Sequence, residues 1–138
     1  MKAFVVSSGD NKNAQVVLTQ KDVRELQLGK AAMRAGIETL LDELSLLPAQ
    51  IKKTLLAGAF GSHLSAEALC DIGLLPPALA DGVESIGNAA GEGAKLYLKN
   101  FALFEQTETL SKQTDYIELT MSSAFTDRYV DAMAFEDE

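Results

Sequence analysis

The sequence predicts an α/β domain in which a mixed sheet is flanked by helices. Three observations predict it. Two short apolar runs surround a polar turn near the start of the chain. A long stretch with helical periodicity follows them. Two further apolar runs each end in a glycine-rich turn that leads into helix-forming sequence. The leading hairpin makes the sheet mixed, because hairpins pair antiparallel and strand–helix–strand units pair parallel.

The runs Ala3–Ser7 and Ala14–Leu18 are rich in β-branched residues, and Ser8–Asn13 between them is turn chemistry. Gly, Asp and Asn tolerate positive φ and bond their own backbone, so the segment predicts a β-hairpin. Thr19 is a good N-cap, and Asp22 at the third helical position suits a capping box and the helix dipole. Val23, Leu26, Met33, Ile37, Leu40 and Leu44 then recur at helical spacing. They predict a helix over Gln20–Ser45, about 39 Å long at 1.5 Å per residue. Its small residues Gly29, Ala31, Ala32, Ala35 and Gly36 leave room for another element to approach closely. Pro48 follows its end, where proline belongs. Lys30 lies on the apolar stripe, and the expected arrangement is a buried stem with its ammonium in water.

Thr54–Ala57 is short and apolar and predicts a buried strand ended by Gly58 and Gly61. Ser65 can cap a short helix over Ala66–Ile72, which Gly73 can close. Leu74–Pro77 is an irregular apolar link. Val83–Ile86 predicts a second short strand, and Gly87–Leu98 turns sharply into a helix. A helix over Glu105–Gln113, an edge strand over Tyr116–Leu119 and a closing amphipathic helix over Phe125–Phe135 complete the expected order.

The chain has 138 residues, 47% of them hydrophobic, which fits one domain spanning 1–138. A chain of this size buries roughly two-thirds of the surface its unfolded state exposes. The formal net charge of −8 repels phosphate-rich polymers, and the basic residues are scattered apart from Lys52 and Lys53. Nucleic acid is therefore not an expected partner. The single cysteine, Cys70, excludes a disulfide or a multi-thiolate metal site within the chain, and burial is the usual fate of such a thiol. With no signal-peptide pattern and no apolar run near 20 residues, a cytoplasmic chain without a membrane contact is expected.

Two glycine turns carry the chemistry. One is Leu56–Gly61, Leu-Ala-Gly-Ala-Phe-Gly; the other is Ile86–Gly91, Ile-Gly-Asn-Ala-Ala-Gly. Each stands where a predicted strand ends. Ligands of open α/β sheets bind beyond the carboxyl ends of the strands. Glycine there lets a ligand lie on bare backbone, and helix N-termini offer N–H donors to an anion. The same turns also serve tight packing of helix on sheet, and the residues alone leave both readings open. A GxxxxGK[ST] P-loop is absent, and GNAAGEG lacks the spacing of GxGxxG. His63 follows the first turn without the Ser, Cys or Asp pattern of a triad, and is expected to be a loop histidine. Glu92 and Lys95 are expected on a solvated helix face.

Several segments resemble a known family: LTQKDVRELQLGKAAMRAG (18–36), LAGAFG (56–61), IGLLP (72–76), IGNAAGEGA (86–94) and the closing stretch 116–135. They are similar to the C-terminal, actin-like (ASKHA) domain of ATP-dependent reductive activators of corrinoid proteins, the iron–sulfur corrinoid activation protein family. The resemblance covers nearly the whole chain. It implies a ribonuclease-H-like, actin-type ATPase subdomain and ATP or ADP as ligand. Gly58, Ala59, Phe60 and Gly61 would line the adenosine side, with Ser62, Gly87 and Asn88 joining them. Phe60 would either cover the base or pack into the core.

The resemblance further implies ATP-driven reduction of cob(II)amide to cob(I)amide, with the electron supplied by a 2Fe-2S cluster in a separate domain. One cysteine cannot hold such a cluster. The Asp- and Gly-rich phosphate motifs of actin-like ATPases are missing too, so the chain is expected to be part of a longer protein and not to turn over ATP alone. Implied partners are a corrinoid protein or corrinoid methyltransferase, or a second copy of the chain as a homodimer. Two other functions fit the residues: a non-enzymatic docking or dimerisation module, and a regulatory or kinase-like actin-fold protein that binds another phosphorylated ligand.

Overall fold

A computed structural model describes residues 3–8, 15–58, 63–100 and 102–135. The chain opens with strands β1 (Ala3–Ser8) and β2 (Gln15–Thr19), paired antiparallel as the hairpin pattern predicts. Phe4 faces Leu18 and Val5 faces Val17 across the ladder, and the register shifts between Val5 and Ser7. Apolar side chains emerge on both faces of this hairpin, and Phe4 remains 70% exposed.

Helix α1 (Gln20–Glu43) starts directly at the end of β2. Its start is fixed by a full capping box. The Thr19 hydroxyl accepts from the Asp22 N–H, and the Asp22 carboxylate accepts from the Thr19 N–H at 2.8 Å and from the Thr19 hydroxyl at 2.7 Å. The side-chain and then the backbone bond from Thr19 hold the Asp22 carboxyl below the usual carboxylate range. Asp22 is thus depressed in the folded state. Its contribution is present above the unfolded pKa and is lost as the pH falls through the folded one. We expect Thr19→Ala to lower the melting temperature at neutral pH, with the gap from the parent chain closing below the carboxylate range; equal gaps at pH 7 and pH 2 would contradict the box.

The small residues of α1 do what their size allows. Ala31 and Ala35 are fully buried, and a methyl group added at Gly36 would touch the Leu119 side chain at 3.7 Å. After a short 3-10 turn at Pro48–Gln50, strand β3 (Thr54–Ala57) leads toward helix α2 (Ala66–Asp71). The Ser65 hydroxyl caps α2 by accepting from the Ala68 N–H at 3.1 Å. A second 3-10 turn, Pro77–Leu79, precedes strand β4 (Val83–Gly87). Helices α3 (Ala89–Lys99), α4 (Leu103–Gln113) and α5 (Ser123–Asp131) follow.

Among the described residues the strands form two separate two-stranded sheets, β1–β2 antiparallel and β3–β4 parallel. Both pairings of the expected mixed architecture are therefore present, with helices flanking them. The core is built from Leu69 on α2 and Leu74, Leu75 and Leu79 in the link that follows. Ile37, Leu56 and Val83 pack on it from α1, β3 and β4. This core fixes β3 and β4 beneath α2, and so fixes where their carboxyl ends lie.

Three elements differ from expectation. Thr54–Ala57 forms its strand but is not buried: its residues alternate between half-buried and exposed, and Leu55 is 54% exposed. Tyr116–Leu119 is not a strand; the chain turns instead into a 3-10 helix at Leu119–Met121. The Glu118 carboxylate accepts from the Thr120 N–H at 3.1 Å, from the Thr120 hydroxyl and from the Tyr116 hydroxyl at 2.7 Å, which curls the segment. The closing helix is shorter than 125–135: α5 ends at Asp131, and the residues after it fold back onto α1. Among the described residues no helix is long and apolar enough to cross a membrane.

Candidate functional site

The two glycine turns meet at one end of the β3–β4 pair. Because the strands run parallel, their carboxyl ends lie on the same side. The register pairs Thr54 with Val83 and Leu56 with Ser85, then shifts so that Ala57 pairs with Gly87. That shift brings the two bends into direct contact: the Gly58 N–H donates to the Gly87 carbonyl at 2.7 Å. Both glycines have left-handed backbone, with φ of 77° at Gly58 and 59° at Gly87, a region costly for residues that carry a Cβ.

A methyl group built on either glycine would meet nothing within 4 Å. Among the described residues nothing crowds the Cβ positions of Gly58 and Gly87, so the backbone there can be approached closely. Asn88 follows immediately and caps α3: its side-chain oxygen accepts from the Gly91 N–H at 3.0 Å. The cap also explains Gly91, where a Cβ would fall 2.6 Å from the Asn88 amide nitrogen. Asn88 thus has a structural task at this rim. Ala59, Phe60, Gly61 and Ser62 lie outside the described residues, whereas Gly58, Gly87 and Asn88 lie together.

The arrangement provides glycine backbone at the carboxyl ends of two parallel strands, uncrowded by the described residues, with a helix N-terminus alongside. His63 is exposed, and Glu92 pairs with Lys95 at 2.6 Å on the solvated face expected of them.

Elsewhere, Cys70 is half-buried on α2, and burial, with the Asp71 charge as a smaller cause, pushes its thiol pKa up. Such a thiol carries little thiolate at neutral pH and is a poor nucleophile. Lys30 does not snorkel. It is only 2% exposed, its ammonium donates to the Ala134 carbonyl, and it lies 4.6 Å from the centre of the Phe135 ring. Sequence reasoning had no access to this arrangement, because its partners come from the far end of the chain. Among the described residues no group of three or more His, Cys, Asp or Glu is placed to hold a metal ion.

Comparison with known proteins bears on the whole chain. A family model described as the C-terminal domain of RACo, the ASKHA domain, matches residues 1–138. The corrinoid activation enzyme RamQ of Eubacterium limosum is 34% identical over 134 residues, covering 96% of this chain and 23% of that protein. A solved structure of a reductive activator for corrinoid, iron–sulfur protein superposes with a TM-score of 0.86 at 28% identity, covering 95% of this chain and 21% of that one. The chain therefore spans less than a quarter of either relative. The structural match supports the actin-like fold expected from the sequence.

Proposed function

We propose a function from one premise: the chain belongs to the family of C-terminal ASKHA domains of RACo. In our reading it is the nucleotide-binding C-terminal part of an ATP-dependent reductive activator. That activator returns cob(II)amide corrinoid proteins to cob(I)amide. Its partner is a corrinoid protein or corrinoid methyltransferase. The iron–sulfur cluster that delivers the electron belongs to another part of the activator, since a single cysteine cannot ligate it.

The observation that supports the reading is the contact between Gly58 and Gly87 at the shared end of β3 and β4, with no described atom within 4 Å of either Cβ position. Bare backbone at this place accepts a flat, close-lying ligand, and ATP or ADP fits that description on its adenosine side. Gly58, Ala59, Phe60 and Gly61 would line the adenosine side, with Ser62, Gly87 and Asn88 joining them. Bound ATP supplies the driving force for the uphill electron transfer. These residues hold and orient it; cleavage requires groups beyond them.

Titration with ATP or ADP tests this directly. Backbone amide resonances of Gly58, Gly87 and Gly91 are expected to shift with saturation, while those of α5 stay in place. A folded chain whose glycine amides do not respond to millimolar nucleotide would end the proposal.

A further inference from the structure

Lys30 joins three parts of the chain that are distant in sequence. It projects from the middle of α1 and is buried at 2% exposure. Its ammonium donates to the Ala134 carbonyl, 104 residues away, and sits over the Phe135 ring. On its other side lies Gly73, where an added Cβ would stand 3.1 Å from the Lys30 Nζ. Gly73 is the turn that closes α2, the helix that follows the first glycine turn, and its φ of 74° needs glycine. The C-terminal segment is held at two further points. The Gln27 side chain donates to the Met133 carbonyl at 3.0 Å, and the Arg128 guanidinium on α5 donates to Thr39 and Asp42 of α1.

We propose that Lys30 is a positioning residue that couples the Gly73 turn at the end of α2 to the C-terminal segment. The Gly73 turn lies beside the buried ammonium that Ala134 and Phe135 contact directly. A buried ammonium is costly to leave without its contacts, so it holds its surroundings in one arrangement. Displacing either neighbour moves the ammonium and disturbs the other. This link gives residues 134–135 a physical route to the Gly73 turn through the Lys30 ammonium. It stands independently of the nucleotide reading, because it is tested without ligand.

Hydrogen exchange followed by mass spectrometry on the full chain is the test. Lys30→Met keeps the stem and removes the donor and charge. It is expected to quicken exchange about tenfold or more both in 70–76 and in 128–135, with β4 unchanged, as fits the loss of a charged hydrogen bond. Quickening of only one of the two segments, or of neither, overturns the proposal. Should Lys30→Met quicken exchange everywhere, Gly73→Ala decides: it leaves Lys30 intact and presses on the ammonium from the α2 side. It is expected to quicken exchange in 133–135 as well as at its own turn. An effect confined to residues near Gly73 overturns the coupling, because a purely local role for that turn would give the same result.

Discussion

Replacing Leu69 with alanine is expected to cost about 2–5 kcal/mol of folding stability, read as a lower midpoint in chemical denaturation. Leu69 is 1% exposed on α2 and stands at the centre of the cluster with Leu74, Leu75 and Leu79. Removing its isobutyl group forfeits the transfer free energy of the buried carbons and leaves a cavity. The cavity cannot collapse easily, because the Leu74 and Leu75 N–H groups both bond the Leu69 carbonyl and tie the backbone in place. Natural domains hold only about 5–15 kcal/mol in total, so the variant is expected to be partly unfolded at physiological temperature. Leu98→Ala is the control. Leu98 is 84% exposed, and its replacement is expected to fall within about 0.5 kcal/mol of the parent. Equal costs for the two variants would mean that the core lies elsewhere.

The second large effect is at Gly87. Gly87→Ala places a side chain on a backbone with φ of 59°, where left-handed conformation costs about 1–2 kcal/mol for residues with a Cβ. No neighbour lies within 4 Å of that Cβ, so strain is the only stability cost. Binding should suffer more. The methyl group stands over the paired turns, and ATP affinity is expected to fall about tenfold or more, which corresponds to about 1.4 kcal/mol. Gly93→Ala separates the two effects. Gly93 is within α3 with open space around its Cβ, so alanine there is expected to leave affinity unchanged and to stabilise the helix by up to about 1 kcal/mol. Calorimetric titration of both variants with ATP gives the comparison. Unchanged affinity in a folded Gly87→Ala protein would remove Gly87 from the site.

Much of this architecture is legible in local sequence because its causes are local. Thr19 and Asp22 announce the start of α1 within one turn of helix, and the structure shows both halves of the box. Ser65 before α2 and Asn88 before α3 act in the same way. Where the cause is remote, the sequence misleads. Tyr116–Leu119 is apolar enough to suggest an edge strand, but among the described residues no strand pairs with it, and Glu118 satisfies the local donors so that the chain curls. Leu119 then packs toward Gly36. Lys30 reads as a surface ammonium on an apolar stripe because its partners, Ala134 and Phe135, arrive from more than 100 residues away.

The candidate site divides along the same line. Each glycine turn is visible as a strand ending in small residues. Their contact is not visible, because it depends on the parallel pairing of β3 with β4 and on the shift of register that sets Ala57 opposite Gly87. Glycine content suggested two bends; only the sheet makes them neighbours.

The hairpin of β1 and β2 has a consequence of its own. Its greasy residues look outward on both sides, as they do in strands that lie deep inside a layered protein. In water such a ribbon is an adhesive: its open backbone edges and oily flanks can recruit any extended chain that drifts past. A ribbon of this kind is expected to bury its flanks against other protein surface, where the apolar side chains of both faces leave water together.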